Sequence, residues 1–213
     1  MKEEAKRKKP RIKDFSLAAV KFIPVQSSFE MAVINLSTSG IALLQGAPEI
    51  KVMKDDLLSG NLYIEDEKIP VVLTVIRVNN DFIGCRFERG IELIDHCLKN
   101  KFSIELIALQ LTGVKPGILE KQKDGQPHWY FDGNACELYF VEDNNFIKRY
   151  RLTFQNHHLE GGEDRKPEYT GHDFNKKMNH DIAQKLIRFI ENIDGLVNDY
   201  KDYFQNEIRR LEF

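Results

Sequence analysis

From Phe15 to Phe87 the hydrophobic positions fall in short runs broken by polar turns, and within many runs apolar and polar side chains alternate. A period of two belongs to strands that bury one face. The runs predict strands over Phe15–Pro24, Met31–Ser37, Gly40–Leu44, Leu58–Ile64, Ile69–Val78 and Phe82–Glu88. The last two are joined through Asn79-Asn80-Asp81, residue types that tolerate the left-handed backbone of a tight hairpin. Six strands of this length suffice to close a small antiparallel barrel, and a sandwich is the other arrangement the pattern admits.

After residue 90 the period changes. Ile91, Leu93, Ile94, Leu98, Phe102, Leu106 and Leu109 include helical spacings, which predicts a helix within 91–111 with a break near Lys101–Ser103. Gly113-Val114-Lys115-Pro116-Gly117 gathers strong breakers and marks the expected domain boundary. Beyond it, His128–Phe131, Cys136–Glu142 and Phe146–Asn156 read as three strands joined by Asp132-Gly133-Asn134 and Asp143-Asn144-Asn145. Glu160–Thr170 is polar, contains Gly161-Gly162 and Pro167, and reads as a loop. From Phe174 onward Ile182, Leu186, Phe189, Ile193, Leu196, Tyr200 and Tyr203 advance in steps of four and three, the stripe of one long helix. The stripe fits packing on the domain's own sheet. It also admits a seam with a second copy of the chain, a homodimer, against which Gly195 counts by about 1 kcal/mol of helix propensity. The 213 residues thus read as mainly β with α: a basic arm over 1–14, a β-barrel domain with a trailing helix over 15–113, and a small α+β domain over 117–213.

Composition narrows the class. With 42% hydrophobic and 30% charged residues the chain can pack a core. No apolar run approaches the roughly 18 to 20 residues of a membrane-crossing helix, and Met1–Lys13 lacks the apolar middle of a signal peptide. A cytoplasmic location is the expectation. Cys85, Cys97 and Cys136 are widely spaced and odd in number, which argues against a disulfide framework. His157 and His158 are adjacent and lack further ligands, so no metal site is expected. The net charge of -2 hides an asymmetry: residues 1–13 carry seven basic side chains against Glu3 and Glu4, a net of +5, and the rest of the chain carries -7. A cationic arm on an acidic body is a candidate anion-binding device.

Two strings could use that charge. One is Arg7-Lys8-Lys9-Pro10-Arg11, an R-x-x-x-R; the other is Asn35-Leu36-Ser37-Thr38-Ser39-Gly40, an N-x-S-x-x-G, about 24 residues later. A guanidinium fork matches the adjacent O6 and N7 acceptors of guanine and bonds phosphate equally well. The Asn35 amide can give and accept bonds to a guanine edge, Ser37 adds a small hydroxyl, and Gly40 is expected to supply positive φ and close backbone approach. With the strand run closing in Gly84-Cys85-Arg86-Phe87, these strings resemble the PilZ family of cyclic di-GMP receptors over residues 5–111.

That resemblance implies a six-stranded antiparallel barrel and a non-enzymatic receptor whose arm folds over cyclic di-GMP at the barrel mouth. It implies ligand contacts at Lys6, Arg7, Arg11, Asn35, Ser37, Gly40 and Gly84, with Lys6, the residue before the first arginine, bearing on whether one ligand or a stacked pair is held. The implied output is contact with an effector protein, through the carboxy-terminal domain, in motility, adhesion or polysaccharide secretion. Ile12 is the first sizeable apolar residue of the arm, so the arm is expected to be mobile without ligand. The runner-up is a PilZ-like scaffold that binds no nucleotide, against which the intact Arg7, Arg11, Asn35, Ser37 and Gly40 count. A nucleic-acid binder would interleave aromatic residues with the basic ones, and the arm has none. No phosphate loop, paired acid or metal set suggests an enzyme, and no cofactor is implied.

Overall fold

The alternation of the first hundred residues closes a sheet on itself. The computed structural model describes residues 11–13, 19–25, 27, 29–45, 51–115, 117–172 and 177–211. Phe15–Ala18 of the first expected strand and Phe174 at the start of the expected last helix lie outside them. Six antiparallel strands, β1 (Val20–Pro24), β2 (Met31–Ser37), β3 (Gly40–Leu44), β4 (Leu57–Ile64), β5 (Glu67–Val78) and β6 (Phe82–Arg89), form a closed barrel in the order β1-β2-β3-β6-β5-β4. Phe22, Leu36, Ile41, Leu43, Leu62, Leu73, Val75, Ile83 and Phe87 fill its interior. Among the described residues, closure leaves this sheet no long free edge.

Helix α1 (Ile91–Lys101) follows β6 and buries Ile94, Cys97 and Leu98, packing on β5. Lys101 in its last turn reaches back to Glu65 at 2.5 Å and Glu67 at 3.7 Å on the β4–β5 hairpin. The helix stops at Phe102, inside the break expected near 101–103.

The chain divides into two compact units, Met1–Ser103 and Ile104–Phe213, ten residues ahead of the breakers at 113–117. The reason is α2 (Ser103–Ala108), whose Ile104 and Ala108 belong to the second core. Glu105, buried, fixes it: both its carboxylate oxygens accept from Arg188, at 2.6 and 2.8 Å.

The second unit is a six-stranded antiparallel meander, β7 (Thr112–Gly113), β8 (Gln126–Phe131), β9 (Cys136–Asp143), β10 (Phe146–Phe154), β11 (His157–Gly162) and β12 (Arg165–Thr170). The segment Glu160–Thr170 is therefore a strand end and an edge strand, not a loop. Leu159, Gly161 and Tyr169 turn inward, while Glu160 and Glu168 turn outward and both accept from Arg165. Pro167 is tolerated because β12 is at the sheet edge.

Helices α3 (His180–Glu191) and α4 (Asn198–Arg209) cover one face of this sheet, replacing the single long helix that the stripe predicts. Asn179 caps α3, its side chain accepting from the Ile182 amide at 2.9 Å. The break lies at 192–197, where Gly195 adopts φ of +79°, a conformation that ends helices. Lys201 of α4 then donates to the Glu191 carbonyl at 2.7 Å, satisfying the end of α3. Leu186, Phe189, Ile193, Leu196 and Phe204, most of them from the predicted stripe, are buried in the unit's own core with Phe140, Tyr150 and Phe154. Among the described residues no helix is long and apolar enough to cross a membrane.

Candidate ligand site

The arm joins the barrel at Ile12. Its amide donates to the Leu36 carbonyl at 2.9 Å, the Leu36 amide donates to the Ile12 carbonyl at 3.0 Å, and the Ile12 side chain is fully buried. The Arg11–Lys13 stretch thus extends the pairing of β2, while the expectation of a mobile arm falls, for residues 1–10, outside the described residues. A buried isoleucine contributes about 1.5–3 kcal/mol relative to an exposed one. Lys6 and Arg7 lie outside the described residues.

The anchor carries Arg11 to Asn35. Arg11 Nη1 donates to Asn35 Oδ1 at 3.1 Å across 24 residues of sequence, so the second arginine of the first string meets the first residue of the second. Asn35 owes its position to a β-bulge. Val33 pairs with Leu43, Ile34 is the extra residue, and Asn35 pairs with Ala42. Bulges of this kind re-aim side chains at sites.

Ser37 and Gly40 serve the turn between β2 and β3. The buried Ser37 hydroxyl donates to the Gly40 carbonyl at 3.1 Å and lies 3.4 Å from the Ser39 hydroxyl. Gly40 does not need positive φ; the expectation fails there because the reason for glycine is the neighbouring strand. A Cβ on Gly40 would stand 2.5 Å from the Cys85 carbonyl oxygen of β6. Gly84 is the opposite case, since a Cβ there would meet nothing nearer than 3.7 Å. The fold requires a glycine at 40 and only permits one at 84.

Register places Asn35, Ala42, Gly84 and Arg77 in one row across β2, β3, β6 and β5. Their strand neighbours Leu36, Ile41, Leu43, Ile83, Cys85 and Val75 face the interior, so the row faces outward. Ala42 is nonetheless buried and Gly84 half-buried. Arg77 was not among the residues singled out from sequence. Its guanidinium carbon lies 5.5 Å from the centroid of the Phe82 ring. Arg86, also outward, is committed: Nε and Nη2 donate to Glu88 Oε1 at 3.0 and 2.8 Å, and the Thr74 hydroxyl donates to the same oxygen. Those bonds, Thr74 first, hold the Glu88 carboxyl below its usual range.

The family model of the PilZ domain matches residues 5–100 of this chain. The match spans residues 5–14 of the arm, the whole barrel and nearly all of α1. A search of solved structures finds the crystal structure of the Legionella uncharacterized protein Lpg0364, 17% identical, covering 44% of this chain and 94% of that one at a TM-score of 0.36. That likeness is too low to carry an argument. No curated protein matches the sequence.

The region that the family model matches holds two of the three cysteines, and neither has the exposure of a reactive thiol. Burial pushes Cys85 up to about 12, and burial with Glu67 beside it does the same to Cys97. Among the described residues no group of three or more His, Cys, Asp or Glu could hold a metal ion.

Proposed function

We propose that the protein is a receptor for cyclic di-GMP, which it binds on the PilZ unit between the arginines of the arm and the Asn35 end of β2. The observation that carries this reading is the Arg11–Asn35 hydrogen bond, which joins the two candidate strings in one place. A guanidinium oriented by an amide oxygen presents its planar fork in a set direction, and that fork matches a guanine edge or a phosphate. Its side-chain ordering cost is partly met before ligand arrives, because Ile12 holds the backbone next to it.

In this reading Arg7 and Lys6 complete the cationic side of the site, and Asn35 and Gly84 offer the ligand an amide and an open backbone. Ser37 and Gly40 act one step back, by fixing the β2–β3 turn from which Asn35 projects. Occupancy orders the arm and changes which proteins the receptor contacts, with the second unit as the effector surface and motility, adhesion or polysaccharide output as the regulated process. The protein acts by binding and carries out no reaction of its own.

The test is a titration of fluorescently labelled cyclic di-GMP with purified protein, with unlabelled GMP, cyclic di-AMP and random duplex DNA as competitors. We expect a dissociation constant on the order of 1 μM, weakened by salt and displaced by none of the three competitors at matched concentration. Absence of saturable binding, or equal displacement by duplex DNA, would refute the assignment.

A further inference from the structure

The outer row that begins at Asn35 ends at Arg77, and a β-bulge sets each end. On β2 the extra residue Ile34 brings Asn35 opposite Ala42. On β5, Val75 pairs with Cys85 and Arg77 pairs with Gly84, so Ile76 is the extra residue. Without that insertion the strict alternation of β5 would put Ile76 opposite Gly84 and send Arg77 toward the barrel interior. Both inserted isoleucines are exposed, a cost in apolar exposure that packing does not explain.

Between the two ends the row holds only Ala42 and Gly84, side chains of one carbon and none. The barrel itself does not demand glycine at 84, where a Cβ would find ordinary contact distances. Arg77 meanwhile is exposed, and among the described residues no carboxylate pairs with it; the face of Phe82 holds its guanidinium. A flat cation kept over an aromatic ring is poised for a planar or anionic ligand and loses little freedom on binding it.

We infer that Arg77, seated on Phe82, is a further ligand-contacting residue of the PilZ site, receiving the part of a cyclic dinucleotide farthest from Asn35. The inference rests on the proposed cyclic di-GMP reading. Three inter-strand spacings separate Asn35 from Arg77, roughly 14 Å, so the row can meet both halves of a two-base ligand. A mononucleotide would engage one end only.

Calorimetric titration of the full chain with cyclic di-GMP tests this in wild type, Arg77→Ala, Phe82→Ala and the control Arg86→Ala, whose guanidinium is held by Glu88. We expect Arg77→Ala to weaken cyclic di-GMP about tenfold, the scale of one guanidinium–guanine contact. Phe82→Ala should weaken it less and Arg86→Ala less than about twofold, the level of a screened surface charge. The thermal midpoint of Arg77→Ala should match wild type, because the side chain is exposed. Wild-type binding with Arg77→Ala unchanged, or with Arg86→Ala equally weakened, overturns the role of Arg77 and leaves the receptor reading intact. Failure of wild type to bind removes both.

Discussion

The two sheets present contrasting outer faces. In the barrel, the row Asn35–Ala42–Gly84–Arg77 carries an amide, two minimal side chains and a guanidinium without a carboxylate among the described residues. In the second unit, the row Trp129–Tyr139–Arg151–Glu160–Glu168 runs across five strands with its charges compensated. Arg151 pairs with Glu137 at 2.9 Å, Arg165 with Glu160 and Glu168, Arg149 with Asp124 at 2.6 Å, and Lys148 with Glu163 at 2.5 Å. A cavity of about 510 Å³ opens beside those residues, yet its cations already hold carboxylates. An anionic ligand would have to displace them. The difference teaches that the number of arginines on a face says little about anion binding, and that what they are already bonded to says much more.

The contrast predicts that charges in the second unit hold structure and that those on the barrel row hold ligand. The largest effect belongs to Glu105→Ala. Arg188 then loses a bidentate carboxylate in a largely buried setting, and about 3 kcal/mol of stability should be lost in denaturant titration, with cyclic di-GMP affinity unchanged. A loss below about 1 kcal/mol would show the pair to be replaceable by water.

Next comes Gly40→Ala, which forces a Cβ against the Cys85 carbonyl and should cost about 1–3 kcal/mol. Gly84→Ala should cost within about 0.5 kcal/mol while reducing affinity, so the two glycines should separate cleanly when melting and binding are measured on the same preparations. Equal destabilisation by both would erase the distinction between a glycine the fold requires and one it permits. Smaller than the cost at Gly40 is that of Arg151→Ala, which breaks an exposed pair on the compensated face, and for which we expect no more than about 0.5–1 kcal/mol and no change in ligand binding.

The smallest expected effect is on pH. Burial holds His128 and His157 below the ordinary histidine value of 6.5, with Glu142 opposing the shift at His128 and Lys185 adding to it at His157. Both imidazoles are in the second unit. The unfolded chain takes up protons at about 6.5, before the folded chain does. Stability is therefore complete above that value and declines as pH falls from it toward the lower folded values. Thermal melts between pH 7 and about pH 5 should show the second unit softening, and His128→Phe should flatten part of the slope. A rise in stability on acidification would reverse the sign assigned here.

Strand alternation made the barrel legible: β2 and β3 have the predicted bounds, and β4, β5 and β6 extend the predicted runs by one or two residues. The break after Lys101 was also readable from its mixed spacing. In the second unit, Glu160–Thr170 hid two strand segments because ion pairs replace polar spacing on the outer face and Gly161 gives Tyr150 room on the inner one. The last helix misled for a different reason. The apolar stripe keeps its step through 193 and 196 even though Gly195 turns the backbone, so α3 and α4 share one pattern. At the site, the two strings point to one shared ligand, but the direct Arg11–Asn35 bond does not follow from them, because it depends on the Ile12–Leu36 pairing. Arg77 escaped notice because a bulge shifts parity, and alternation counted from Val75 assigns it to the wrong face.

A double-mutant cycle at Arg11 and Asn35, read by calorimetric titration with cyclic di-GMP, tests the central claim most directly. Each single alanine variant should weaken binding about tenfold, and the double variant should be weaker by much less than the product of the two, because one contact network is lost once. Binding that is saturable and identical in wild type and all three variants would contradict the account.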